Sequence, residues 1–197
     1  MKNLLIEGVS GTGKTTLILE TLGNLMDKAG GFVTVRLLDG DGRRTGFAVK
    51  KAERGAKPDK VFENSDIPDR FICFEGESRA EVPKFVELAS RYIERAGTFL
   101  VMDEFGGIEL ENGGFADRIA EILENGRPVI GVIKMRENAE HAIKHMTEGS
   151  ALMEEYESFR RRLEGLKNTQ IIRLSDDNRE EAKSAIIKWM ADNGLMT

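Results

Sequence analysis

Gly8-Val9-Ser10-Gly11-Thr12-Gly13-Lys14-Thr15 follows the apolar run Leu4-Leu5-Ile6 and leads into Thr16-Leu17-Ile18-Leu19-Glu20-Thr21-Leu22. The octet fits the pattern of glycine, four residues, glycine, lysine, then serine or threonine that builds a phosphate-binding loop. The flanks agree with it. A short apolar run suits a buried parallel strand, and the following leucines and isoleucine recur at helical spacing. Glycines allow a tight backbone whose N–H groups point at phosphate oxygens, and the helix behind adds its free N–H groups and positive dipole end. Gly8, Val9, Ser10, Gly11, Thr12, Gly13, Lys14, Thr15 and Thr16 are therefore the candidate nucleotide-binding residues. Lys14 would reach the β and γ phosphates, and the Thr15 hydroxyl would ligate Mg²⁺.

A second piece lies far downstream. Thr98-Phe99-Leu100-Val101-Met102 reads as a buried strand that ends in Asp103-Glu104. Mg²⁺ keeps several waters and takes only one or two carboxylates, so Asp103 is the candidate metal residue beside Thr15. Glu104 is the candidate catalytic base, placed to accept a proton from an attacking water or to hold that water in line. Pro128-Val129-Ile130-Gly131-Val132-Ile133 is a further apolar strand with Lys134 at its end. Lys134 or Arg136 is a candidate charge facing the γ phosphate, against the alternative of a solvated loop charge.

Alternating strands and helices imply an α/β fold with a mostly parallel sheet and helices on both faces. Ligands in such sheets bind outside the carboxyl ends of the strands, where both pieces fall. The first helix is expected from Lys14 to about Ala29, stopping at Gly30-Gly31, with a strand from Phe32 to Leu38. Thr45 to Val49 is its expected hairpin partner, and Phe71 to Phe74 one more short strand. The chain reads as one domain over 1–197, with a small β or irregular insertion at about 39–75 and a helical embellishment at about 138–168.

The 197 residues carry a net charge of −5, which argues against general nucleic-acid binding. No segment approaches the roughly 20 apolar residues needed to span a bilayer. The single cysteine, Cys73, sits in an apolar run and fits a reducing, cytoplasmic setting as a buried strand residue. Trp189 falls on the apolar face of the last helix and reads as a core anchor. His141 and His145, four apart, read as a solvated helix face rather than a metal pair. Arg160-Arg161-Arg162 among several glutamates reads as a salt-bridged helix, with a phosphate-closing lid as the alternative.

Several ordered stretches resemble the THEP-type nucleoside-triphosphatase family of P-loop enzymes: GVSGTGKTTL, GGFVTVR with GRRTGF after it, FLVMDEFGGIEL with Phe115 beyond, RPVIGVI, and Asn178-Arg179. Gly107 stands where that family usually carries lysine. The resemblance implies Mg²⁺-dependent hydrolysis of a nucleoside triphosphate to the diphosphate and phosphate. It gives Lys14 and Glu104 catalytic roles and Thr15 and Asp103 the metal. It also points to Arg36, Arg44 and Glu109 as residues near the nucleotide. By the same resemblance, an Asp-Glu pair at this place goes with sheet order 5-1-4-3-2. The alternatives are a nucleoside or nucleotide kinase, and a nucleotide-dependent switch or accessory factor for metal-cofactor assembly. The sequence names no protein partner.

Overall fold

A computed structural model describes residues 1–61, 67–73, 79–143 and 149–196. Phe74 and His145 lie outside the described residues, and so does the side chain of Cys73, so the expectations for them have no structural counterpart.

Five strands run parallel: β1 (Asn3–Glu7), β2 (Ala29–Leu38), β7 (Phe99–Phe105), β8 (Val129–Ile133) and β9 (Thr169–Arg173). Their order across the sheet is β9-β1-β8-β7-β2. Counted along the chain, that is 5-1-4-3-2, so one strand separates the loop-bearing strand from the Asp103 strand. The sheet is more mixed than the sequence suggested. Beyond β2 it continues through β3 (Arg44–Lys51), β5 (Arg70–Cys73) and β6 (Arg79–Ala80), all in antiparallel pairing. The stretch expected as an insertion is thus largely the extended edge of the main sheet.

Alternate residues of each strand enter two cores. On one face Leu5, Leu100 and Met102 pack with α2 (Val82–Ile93), α3 (Gly113–Asn125), α4 (Arg136–Ile143) and α5 (Gly149–Glu164). On the other, Leu4, Ile6 and Val101 pack with α1 (Lys14–Leu22) and α6 (Arg179–Asp192). Trp189 is fully buried there, edge-on to Phe99 at 5.6 Å, with its indole N–H donating to the Lys2 carbonyl at 2.8 Å. The helical embellishment expected at about 138–168 packs against the sheet through α5. Leu152, Tyr156, Phe159 and Leu163 of α5 are buried in the first core.

The first helix ends earlier than expected. Gly23 stops α1, its N–H returning to the Leu19 carbonyl, and a 3₁₀ segment, Gly23–Lys28, follows. Gly30-Gly31 is not a helix stop but lies inside β2. A Cβ on Gly31 would stand 2.0 Å from the Val101 carbonyl oxygen, so the pair of glycines serves close approach to β7.

β2 is ten residues long, twice the length of β1, and overruns its neighbour. It pairs with β7 only through Ala29–Phe32, then with β4 (Asp59–Val61) through Arg36–Leu38. Because β3 occupies the other edge of β2, β4 stands in line beyond the end of β7. The overrun and β4 together form a wall on one side of the Asp103 strand end.

Candidate active site

The loop leaves β1 at Gly8 and enters α1 at Lys14. Leu17 makes the first intrahelical bond, to the Gly13 carbonyl at 2.8 Å, so the N–H groups of Lys14, Thr15 and Thr16 precede the ladder. Lys14 is buried, its ammonium donating to the carbonyls of Gly8 and Val9, each at 2.9 Å. Burial holds its pKa below the usual lysine value, against the opposing pull of Glu104 and Asp103.

Residues 88 positions apart meet at the end of β7. The Thr15 hydroxyl donates to Asp103 Oδ1 at 2.8 Å, and the Thr34 N–H donates to Asp103 Oδ2 at 3.0 Å. The Thr34 hydroxyl in turn donates to the Asp103 carbonyl at 3.1 Å. Burial, reinforced by adjacent Glu104, pushes the Asp103 carboxyl up to about 7 despite these hydrogen bonds. A desolvated carboxylate beside a hydroxyl is a donor pair that a divalent cation would neutralise, the rest of its shell coming from water and phosphate. Among the described residues no group of three or more His, Cys, Asp or Glu could hold a metal alone.

Glu104 is the only non-glycine among the described residues in the left-handed region, at φ 60°. Such a residue carries strain on the order of 1–3 kcal/mol and persists only where its surroundings fix it. Here the fixing group is Lys134, whose ammonium donates to the Glu104 carbonyl at 2.9 Å and to Oε2 at 3.0 Å. The Lys14 ammonium lies 3.9 Å from Oε1. Burial raises the Glu104 carboxyl, but Lys134 and Lys14 outweigh it and hold the group below the usual range. Burial pulls Lys134 down, and Glu104 with Glu109 overcomes this and holds it above the usual value.

Of the other expected residues, Arg36 is on the β2 overrun, ion-paired with Asp59 at 3.0 Å. Arg44 stands opposite Leu38, further out along the same wall, with its guanidinium 5.6 Å over the Phe47 ring. Glu109 does not face the open site. It is buried, and its Oε1 accepts the N–H groups of Gly106 and of Gly107, the latter at 3.0 Å. Arg136 points elsewhere, pairing with Glu140 at 2.8 Å and with Glu157. His141 lies on the exposed side of α4. Arg160 is no free lid: it pairs with Glu7 at 2.7 Å and Glu164 at 2.9 Å, while Arg162 pairs with Asp117 and Glu124.

The structure adds four residues that the motifs did not single out for this site. Thr34 fixes Asp103, and its only sequence signal is a hydroxyl inside an apolar strand. Asn138 donates to the Gly8 carbonyl at 3.1 Å, and Tyr156 to the Lys134 carbonyl at 3.1 Å. Arg179 donates to the Thr12 carbonyl at 3.2 Å from the start of α6.

A phosphate loop on β1, an acidic strand end two strands away and this sheet order define a P-loop nucleotide-binding protein. The chain belongs to the NTPase family, which it matches over residues 3–157. It is 31% identical over 136 residues to the nucleoside-triphosphatase THEP1 of Thermotoga maritima, covering 66% of this chain and 73% of that one. The THEP1 protein of Methanocaldococcus jannaschii is 26% identical over 144 residues, 66% of this chain and 76% of its own. The crystal structure of THEP1 from Aquifex aeolicus shares the fold at a TM-score of 0.61 and 24% identity, covering 94% of this chain and 97% of that one. Among the described residues no helix is long and apolar enough to cross a membrane.

Proposed function

We propose that the protein hydrolyses nucleoside triphosphates to the diphosphate and phosphate, with Mg²⁺ held by Thr15 and Asp103. The carrying observation is the 2.8 Å contact between the Thr15 hydroxyl and Asp103, with the Glu104 carboxylate beside it. Bound there, the cation would neutralise charge on the β and γ phosphates. The N–H groups from Gly8 to Thr16 cradle the phosphates, and Lys14 leaves its carbonyl partners for them. Water attacks the γ phosphorus, the bond to the β-bridging oxygen breaks, and Glu104, ionised at neutral pH, orients the water and takes its proton. Lys134, next to Glu104 and 19% exposed, would offer its charge to the γ phosphate as that bond breaks. Arg36 supplies positive charge from the β2 wall, and Arg44, further out, borders the nucleotide.

Kinase action would need an acceptor and a closing basic lid, and Arg160 is held by Glu7 and Glu164 instead. We further read residues 1–197 as one domain, in keeping with a single sheet through all nine described strands. One cysteine in the chain suits a cytoplasmic setting. Purified protein with Mg²⁺ and a panel of triphosphates is expected to release inorganic phosphate and the nucleoside diphosphate in equal amounts. Appearance of a phosphorylated acceptor by mass spectrometry, with no free phosphate, would overturn hydrolysis.

A further inference from the structure

We propose that Glu109 is a positioning residue for the reaction, acting by its charge on Lys134. The proposal rests on the role given to Lys134 above. After Glu104 and Phe105 the chain turns through Gly106 and Gly107, and Glu109 reaches back under that turn. Its Oε1 takes both glycine N–H groups. Its second oxygen lies on the Gly107 side of the turn. A Cβ built on Gly107 would stand 3.4 Å from Glu109 Oε2, and 2.6 and 2.8 Å from Lys134 Cδ and Cε. The lysine stem therefore runs through the space that Gly107 leaves open, with the Glu109 carboxylate on the near side of that space. Glu109 is only 2% exposed, so its charge is poorly screened by water.

Lys134 thus has two carboxylates near it of unequal freedom: Glu104, which its ammonium contacts, and Glu109, close to its stem beside Gly107. Glu104 is 28% exposed and faces the site, where water and phosphate compete for it. Glu109 is enclosed and held by two backbone donors, so it cannot follow. When the γ phosphate draws the Lys134 ammonium off the Glu104 carboxylate, Glu109 is the fixed charge that keeps the stem in place. Tyr156 holds the other end of the residue through its carbonyl. This makes Glu109 a one-sided tether that lets Lys134 change partner without leaving the site.

The test compares parent, Lys134→Met, Glu109→Gln and the double variant for phosphate release from Mg²⁺·ATP, with nucleotide affinity followed by a fluorescent analogue. The glutamine carbonyl can still accept both glycine N–H groups, so a purely structural role predicts no change. Glu109→Gln is expected to lower kcat on the order of tenfold with KM and affinity unchanged, and to add nothing in the Lys134→Met background. A silent Glu109→Gln, or a loss that persists undiminished without Lys134, overturns the proposal. Lys134→Met at parental kcat would remove the role of Lys134 and this proposal with it. A slow Lys134→Met beside a silent Glu109→Gln removes only the proposal. Should Glu109→Gln lose the parental thermal transition, Glu109→Asp carries the test, because it withdraws the charge by one methylene. It must slow the parent and leave Lys134→Met unaltered.

Discussion

Lys134 grips Glu104 twice, with one ammonium donating to both the carbonyl and the carboxylate of the same residue at 2.9 and 3.0 Å. The carbonyl contact holds the strained backbone, and the carboxylate contact aims the side chain and keeps it ionised. Lys134 thus acts on both the backbone strain and the proton affinity of one residue, with Lys14 adding to the second.

Replacing Glu104 with glutamine keeps the shape and removes the base. Phosphate release is expected to fall by about 10²- to 10⁴-fold, the usual worth of a positioned acid or base, while nucleotide affinity holds. Steady-state kinetics beside a binding titration decides it, and an unchanged rate would end the role of Glu104 as base.

The left-handed backbone at residue 104 can be read through stability. Glu104→Ala and Glu104→Gly both lose the carboxylate, but only glycine is at ease at φ 60°. The glycine variant is expected to be more stable than the alanine variant by about 1 kcal/mol. Urea denaturation of the two measures it; alanine at least as stable as glycine would mean that the backbone relaxes without cost.

Asp103 makes the metal-free, nucleotide-free protein sensitive to pH. Its folded pKa, about 7, lies above the ordinary 3.8, so the unfolded chain sheds this proton first. The contribution is favourable at low pH and is lost as pH rises toward 7. Asp103→Asn removes that loss, so the variant's melting temperature minus the parent's is expected to grow between pH 5 and pH 7.5. A constant difference across that range would contradict the shift.

The Arg160–Glu7 pair ties α5 to the strand that carries the phosphate loop, with the two side chains 14% and 17% exposed. Arg160→Ala is expected to cost about 2 kcal/mol, below the range for a fully buried pair but well above a surface one. Arg161→Ala, on the exposed side of the same helix, should cost almost nothing. Equal stability of the two variants, with a raised KM in Arg160→Ala alone, would restore the lid.

Legibility followed the range of the forces. The phosphate loop, the acid-ended strand and the core face of α6 are written in contiguous residues, and each stands where the sequence placed it. Gly30-Gly31 misled because a glycine pair is compatible with a helix stop and with close strand packing, and only the arrival of Val101 decides between them. A short strand was legible at Phe71 to Phe74, where β5 stands, but not its place in the main sheet, and β6, with two residues, is too short for a periodic signal. Arg160 looked like part of a charged helix because its partner, Glu7, is 153 residues away. Thr34 acts through two hydrogen bonds to Asp103 and Tyr156 through one to Lys134, contacts that leave no pattern in a sequence.

β1 is the first strand in the chain, and its neighbours are among the last. β8 begins at Val129 and β9 ends at Arg173, so during synthesis β1 keeps both edges open until the chain has passed Val129. On the proposed function, nucleotide competence therefore follows the making of β8 and β9. The loop that opens at Gly8 is made before both strands that flank β1, so the sheet around it closes only once β9 has formed.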